Sequence, residues 1–100
     1  MSVSKLVRDR IPEILLADDA KFTMRVLSKE EYKDQLDAKL SEAVAEFKQD
    51  HSLEELADVL EVVYALAKAH GYTLDDLEQV RADKERLKGS FNKQYFVRIE

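Results

Sequence analysis

Apolar residues recur along most of the chain at the spacing of helix faces, and the clearest stretch is Leu53 to Ala67, LEELADVLEVVYALA. Ten of the twelve residues from Leu56 to Ala67 are hydrophobic; the other two are Asp58 and Glu61. No Gly or Pro interrupts the run, and it is longer than a typical strand, so it predicts a helix. A helix apolar on nearly every side predicts burial. Upstream, Tyr32, Leu36, Leu40, Val44 and Phe47 repeat at helical spacing, and Ser28-x-x-Glu31 is a capping-box pattern that opens this helix. Ser52-x-x-Glu55 opens the apolar helix in the same way, and His70-Gly71 closes it, with Gly suited to a left-handed cap. Thr73-x-x-Asp76 opens a further helix with a narrow stripe of Leu74, Leu77, Val80 and Leu87, ended by Gly89-Ser90. Helices are thus expected near residues 30–50, 53–70 and 74–88.

The ends read differently. Residues 1–10 are basic and extended, with Lys5, Arg8 and Arg10 close together. Pro12 suits the first turn of a short helix, whose face is Ile11, Ile14 and Leu15 and whose end is Asp18-Asp19. Phe22, Met24 and Val26 alternate with polar residues, as do Tyr95, Val97 and Ile99 with Phe96, Arg98 and Glu100. These two segments predict short strands that can pair and tie the termini together. The expected fold is all-α, an antiparallel helical bundle with a small two-stranded β element near the termini, in one domain over 1–100.

Composition narrows the function. The chain has 100 residues and a net charge of -5, with Cys 0, Gly 2 and Pro 1. A single modest core is all this length allows. Without Cys there is no disulfide framework, no Cys-ligated zinc and no Cys nucleophile. The segment MSVSKLVRDRIPE lacks an apolar signal core, so a cytoplasmic location and no membrane partner are expected. The negative charge argues against nonspecific nucleic-acid binding but not against a phosphate ligand.

The acids carry the candidate chemistry. Glu42 and Glu46 lie four apart on one helix; Glu55 and Asp58 lie three apart on the next, with Glu54 and Glu61 nearby. Each has a structural reading as well. Glu55 is the natural capping-box partner of Ser52, and Glu42 and Glu46 can simply be a solvated face. Asp58 is harder to dismiss: it sits past the first turn in apolar surroundings, so its charge calls for a cation or for a basic side chain such as Lys39. An all-oxygen donor set suits Mg²⁺ and does not suit zinc.

Three blocks, KLVRDRIPEIL (5–15), KLSEAVAEF with LEELADVLEVVYAL (39–66) and KERLKGSFNKQYF (84–96), resemble the MazG-like all-α nucleoside triphosphate pyrophosphohydrolases, in particular the short phosphoribosyl-ATP pyrophosphohydrolase-like members. The resemblance implies Mg²⁺ held by an EExxE stretch and an ExxD stretch, and hydrolysis of a nucleoside triphosphate to monophosphate and pyrophosphate. Carried over, Glu42 and Glu46 match the first and last acids of EExxE, and Glu55 and Asp58 match ExxD. The implied metal ligands are Glu42, Glu46, Glu55 and Asp58, with Glu42 or Glu46 also orienting the attacking water. Ala43 stands where the second acid is usual, so Glu42, Glu61 or water would fill that place. The usual RGGF becomes Lys88-Gly89-Ser90-Phe91. Lys5, Arg8, Lys84, Lys88 and Lys93 are the candidate phosphate contacts, and Phe91 (or Tyr64 or Tyr95) can stack on a base. The excess of apolar surface on the 53–67 helix predicts a homo-oligomer, and the resemblance implies a homodimer or homotetramer. The rival readings are a nucleotide-binding relative without turnover and a purely structural helical oligomer.

Overall fold

The computed structural model describes residues 4–100; the first three residues of the basic 1–10 stretch lie outside the described residues. Four helices follow in order: α1 (Ile11–Ala17), α2 (Lys29–Asp50), α3 (Leu53–Ala69) and α4 (Leu74–Lys88).

Local chemistry sets nearly every boundary. Pro12 falls in the first turn of α1, where its missing N–H leaves no bond unmade. Asp19 takes a left-handed conformation at φ 55° and lets the N–H of Ala20 reach back to the carbonyl of Leu15 at 3.0 Å. Ser28 and Glu31 close a reciprocal capping box at the start of α2, and Thr73 and Asp76 close one at the start of α4. At the end of α3, Gly71 at φ 87° allows the N–H groups of Gly71 and Tyr72 to bond the carbonyls of Lys68 and Ala67, at 3.0 and 2.9 Å. These two bonds form a Schellman motif and satisfy carbonyls that the helix leaves open.

The core lies between α2 and α3. Only His51 and Ser52 separate these helices, so they fold back as an antiparallel pair. His51 makes the turn at φ 55°, its N–H bonds the Phe47 carbonyl at 2.7 Å, and its ring meets Phe47 edge-on at 5.2 Å. Leu36, Ala43 and Val62 are buried at the centre, with Leu6, Tyr32, Leu40, Val59, Ala65, Leu66 and Ala69 packed around them. Leu6 brings the N-terminal segment onto this pair. α4 leans only lightly on α3, and α1 stands apart from the other helices.

Two expectations are corrected. Among the described residues there is no strand: the 22–26 and 95–99 segments are extended but unpaired. Alternation needs a partner to become a sheet, and a lone pair of short strands is marginal in water. Val26 and Ile99 are accordingly 95% and 92% exposed. The apolar α3 helix is also less covered than its sequence predicts. Val59, Val62 and Leu66 face α2, but Leu53, Leu56 and Leu60 form a second apolar side that remains exposed. The stripe on α4 is covered only in its first half, at Leu74 and Leu77; Val80 and Leu87 are exposed. The chain is open for its length, with a radius of gyration of 17.6 Å, against about 13 Å for a compact chain of this size.

Candidate functional site

The short turn between α2 and α3 decides which acids meet. Glu46 lies just before it on α2 and Glu55 just after it on α3, so the antiparallel fold brings the two carboxylates together. Asp50 follows Glu46 by four residues and adds its charge to the same group. Asp58 lies one turn beyond Glu55 on α3.

Glu55 separates the structural reading from the functional one. The Ser52 hydroxyl accepts a hydrogen bond from the Glu55 N–H at 3.2 Å, so half of the capping box exists. The other half is not made: the Glu55 carboxylate does not return to the Ser52 N–H, unlike Glu31 and Asp76 in their boxes. Its Oε2 is instead buried and has no hydrogen-bond partner. Burial pushes the Glu55 carboxyl above the ordinary glutamate range, and the negative charges of Glu46, Asp58 and Asp50 push it further the same way. A capping carboxylate would show the reverse. Glu31, held by Arg25 and by Ser28, is lowered to about 2.

The other acids are partly neutralised from within the chain. Arg8 donates to Asp58 Oδ1 at 2.6 Å, and Lys39 donates to Glu42 at 3.4 Å. The basic partner of Asp58 is therefore Arg8, not Lys39. Lys39 is one turn from Glu42 on its own helix, and that nearer acid takes it. Among the described residues no ion pair holds Glu46 or Glu55. Ala43 is only 3% exposed, in the core with Leu36 and Val62. The position that lacks the family-like second acid is thus a packing position between α2 and α3.

The donors suit a hard divalent cation in their chemistry: every group is a carboxylate, and one oxygen is buried without a partner. As the side chains stand, no three Asp, Glu or His groups among the described residues converge closely enough to hold one. Asp58 is turned to Arg8 and Glu42 to Lys39.

The candidate phosphate and base contacts are spread out. Lys5 is exposed on the N-terminal segment, and Lys84 and Lys88 are exposed on α4. Phe91 is 97% exposed, and the Lys93 ammonium stands 6.0 Å from the centre of the Tyr95 ring. Of the six, only Arg8 reaches one of the four acids through a hydrogen bond. Two surface clefts lie elsewhere, one lined by Tyr64, Leu74, Leu77 and Glu78 among others and one by residues of the 90–96 segment. Neither includes an acid of the candidate site. Two features escaped the sequence reading. Asp50 completes an every-fourth-residue series with Glu42 and Glu46, a spacing that would have found it. The Arg8–Asp58 pair joins residues 50 apart, which no local pattern reveals.

A protein of Mycolicibacterium smegmatis (strain ATCC 700084 / mc(2)155), itself uncharacterised, is 50% identical to this chain over 46 residues, which is 46% of this chain and 47% of that protein. The matched stretch spans about half the length of that relative. No family model matches the chain. No solved structure matches it. No described helix is long and apolar enough to cross a membrane.

Proposed function

We propose that this protein is a cytoplasmic, Mg²⁺-dependent nucleotide pyrophosphohydrolase that cleaves a nucleoside triphosphate or related nucleotide to the monophosphate and pyrophosphate, working as a homodimer or homotetramer. The observation that carries this reading is Glu55. Its carboxylate is left out of its own capping box, has a buried oxygen without a partner, and sits beside Glu46 and Asp58. A half-buried carboxylate with one oxygen shut off from water and acids around it is costly unless a positive ligand joins it.

In this reading Glu42, Glu46, Glu55 and Asp58 hold the ion. A bound divalent cation supplies neutralisation of phosphate oxygens and acidification of a water molecule. Glu46, which no ion pair engages, accepts the proton of the attacking water. The water oxygen bonds to the α-phosphorus, and the bond from that phosphorus to the bridging oxygen breaks, its electron pair leaving with pyrophosphate. Lys5, Arg8, Lys84, Lys88 and Lys93 offset the charge of the phosphates, and Phe91 offers a face to the base. The work of the side chains is positioning and charge, which suits a reaction with little covalent chemistry for the protein to perform. The exposed Leu53, Leu56 and Leu60 side of α3 supports assembly, since a second copy laid on it completes a helical bundle.

Two observations favour a second reading, a helical oligomer of the same kind without turnover. Asp58 already has a positive partner in Arg8, and the place of the missing acid is filled by core packing at Ala43. A screen of common and damaged nucleoside triphosphates with Mg²⁺, scored for pyrophosphate release, separates the two. Mg²⁺-dependent release that Glu55→Gln abolishes is the expected result. No release from any triphosphate by the folded wild type would leave the second reading.

A further inference from the structure

We propose that a second copy of this chain covers the exposed leucine side of α3 with its C-terminal segment and receives the first copy's segment in return. The proposal rests on the reading of the chain as a homo-oligomer and on no part of its chemistry.

The fold leaves two surfaces uncovered, and they match in length. α4 meets the second half of α3, where Tyr64, Leu74 and Leu77 line one cleft. Toward the start of α3, Leu53, Leu56 and Leu60 are exposed, with the small Ala57 exposed beside them. Near the other end of the chain, the Gln94 N–H closes a turn on the Phe91 carbonyl at 3.3 Å, and residues 95–100 then run extended. Phe91, Tyr95, Phe96, Val97 and Ile99 are 75% to 102% exposed, so this segment stands free of its own α3. Side chains alternate along an extended segment, which puts Tyr95, Val97 and Ile99 on one side over about 13 Å. Leu53 to Leu60 runs about 10 Å along the helix, so the two apolar rows fit one another.

Charge decides what covers the leucines. Residues 53–67 carry Glu54, Glu55, Asp58 and Glu61 and no Lys or Arg. Residues 86–99 carry Arg86, Lys88, Lys93 and Arg98 and no Asp or Glu. Glu54 and Glu61 lie two turns apart along one border of the leucines, and among the described residues no ion pair holds either. Packing α3 antiparallel on its own image would set Glu54 of one copy beside Glu61 of the other, twice, and like charges so placed select against a contact. The basic, aromatic segment brings opposite charge to the same border. Arg98 is available for this, because its contact with Glu100 is open to water and weak. Area points to exchange between copies. A stable interface takes about 800 Å² from each partner, and Phe91, Tyr95 and Phe96 each bring about 150–250 Å². Across a two-fold axis each copy gives a segment and a leucine side, so both surfaces of both copies are covered.

The test uses full-length chains and sedimentation velocity over a dilution series. Lys93→Glu/Arg98→Glu and Glu54→Lys/Glu61→Lys are each expected to associate at least about tenfold more weakly than wild type, since the exchange sets every altered charge against its like. Mixed in equal amounts, the two variants are expected to recover association close to wild type, because reversed charges meet in one contact and native charges in the other. The chain has no Cys, so single engineered thiols report the contact directly. Under mild oxidation, Ala57→Cys mixed with Val97→Cys is expected to give more cross-linked pair than either variant alone. If the wild type assembles but mixing recovers nothing, or Ala57→Cys alone gives the main cross-link, the exchange is refuted while the oligomer stands. A disulfide that closes within single chains of Ala57→Cys/Val97→Cys, with no cross-link in the mixture, places the segment on its own α3 and refutes the exchange equally. A wild type that stays monomeric removes the oligomer and the exchange together.

Discussion

The exposed side of α3 sets a quantitative expectation for assembly. A compact chain of 11.6 kDa exposes about 5,800 Å². This chain exposes 9428 Å², an excess of roughly 3,600 Å². Part of that excess belongs to the extended segments, where Val26, Phe96 and Ile99 are 95%, 102% and 92% exposed; a standard interface needs only about 800 Å² per partner. Leu56 and Leu60 lie on the open side and are 47% and 49% exposed. Full burial of a leucine is worth about 1.5–3 kcal/mol, so completing the burial of a half-exposed one is worth ~1 kcal/mol. A symmetric dimer contains each residue twice. Replacing both by glutamate therefore costs at least ~4 kcal/mol of association, a loss of about a thousandfold in affinity, before the cost of the new charges. Sedimentation velocity across a dilution series is the assay. Leu56→Glu/Leu60→Glu is expected to run as a monomer at concentrations where wild type is a dimer or larger, with a lower melting temperature. A wild type that is already monomeric at tens of micromolar, roughly the upper working range for such a test, or a double variant that assembles unchanged, would refute the argument.

Four further outcomes follow from the acids and the caps. Glu55→Gln removes a half-buried charge that no ion pair offsets, so in EDTA it is expected to raise the melting temperature at neutral pH. The gain should fade in acid: the folded state holds the Glu55 proton more tightly than the unfolded state, so the wild type loses stability as pH rises from 4.5 through the shifted value, and Gln abolishes that slope. Ala43→Glu places a larger, charged side chain in the core, and is expected to destabilise the protein by about 3 kcal/mol or more by chemical denaturation in EDTA, with Mg²⁺ returning part of the loss if the acids hold a cation. Ser28→Ala should cost about 1 kcal/mol through loss of the α2 cap. The stabilising contribution of Glu31 has the opposite pH dependence to that of Glu55: it is present above 4.5 and lost as pH falls toward about 2, which a melting series at acid pH will show.

Helices were the part of the fold most legible in the sequence, because their signals are local. Ser28, Ser52 and Thr73 each cap the helix their spacing predicts, and Gly71 adopts the left-handed conformation expected of it. What failed was each inference that needed a partner distant in sequence. Alternation at 22–26 and 95–99 reports a capacity to pair, and neither segment has a partner among the described residues. The apolar run at 56–67 reports total hydrophobicity, not which side α2 covers. At the site, periodicity brought Glu46, Glu55 and Asp58 into one neighbourhood, since two helices and a tight turn suffice for that. It could not show that the Glu55 side chain abandons its capping box, because Ser52-x-x-Glu55 reads the same whether the box closes or not. Nor could it show that Ala43 faces the core, because an alanine between acids fits a polar face equally well.

The span of the Arg8–Asp58 contact also bears on the order of events during synthesis. Arg8 is made 50 residues before Asp58, and at ribosomal rates of about 5–20 residues per second the gap is roughly 3–10 s. A helical hairpin joined by two residues needs no such delay, since short loops close and helices grow within microseconds. Throughout that interval the N-terminal segment has no α3 to dock on, and Leu6 and Arg8 remain solvated. The segment that carries Leu6 and Arg8 is thus made before the α2–α3 hairpin and finds its place after it, and the hairpin is the template that receives it.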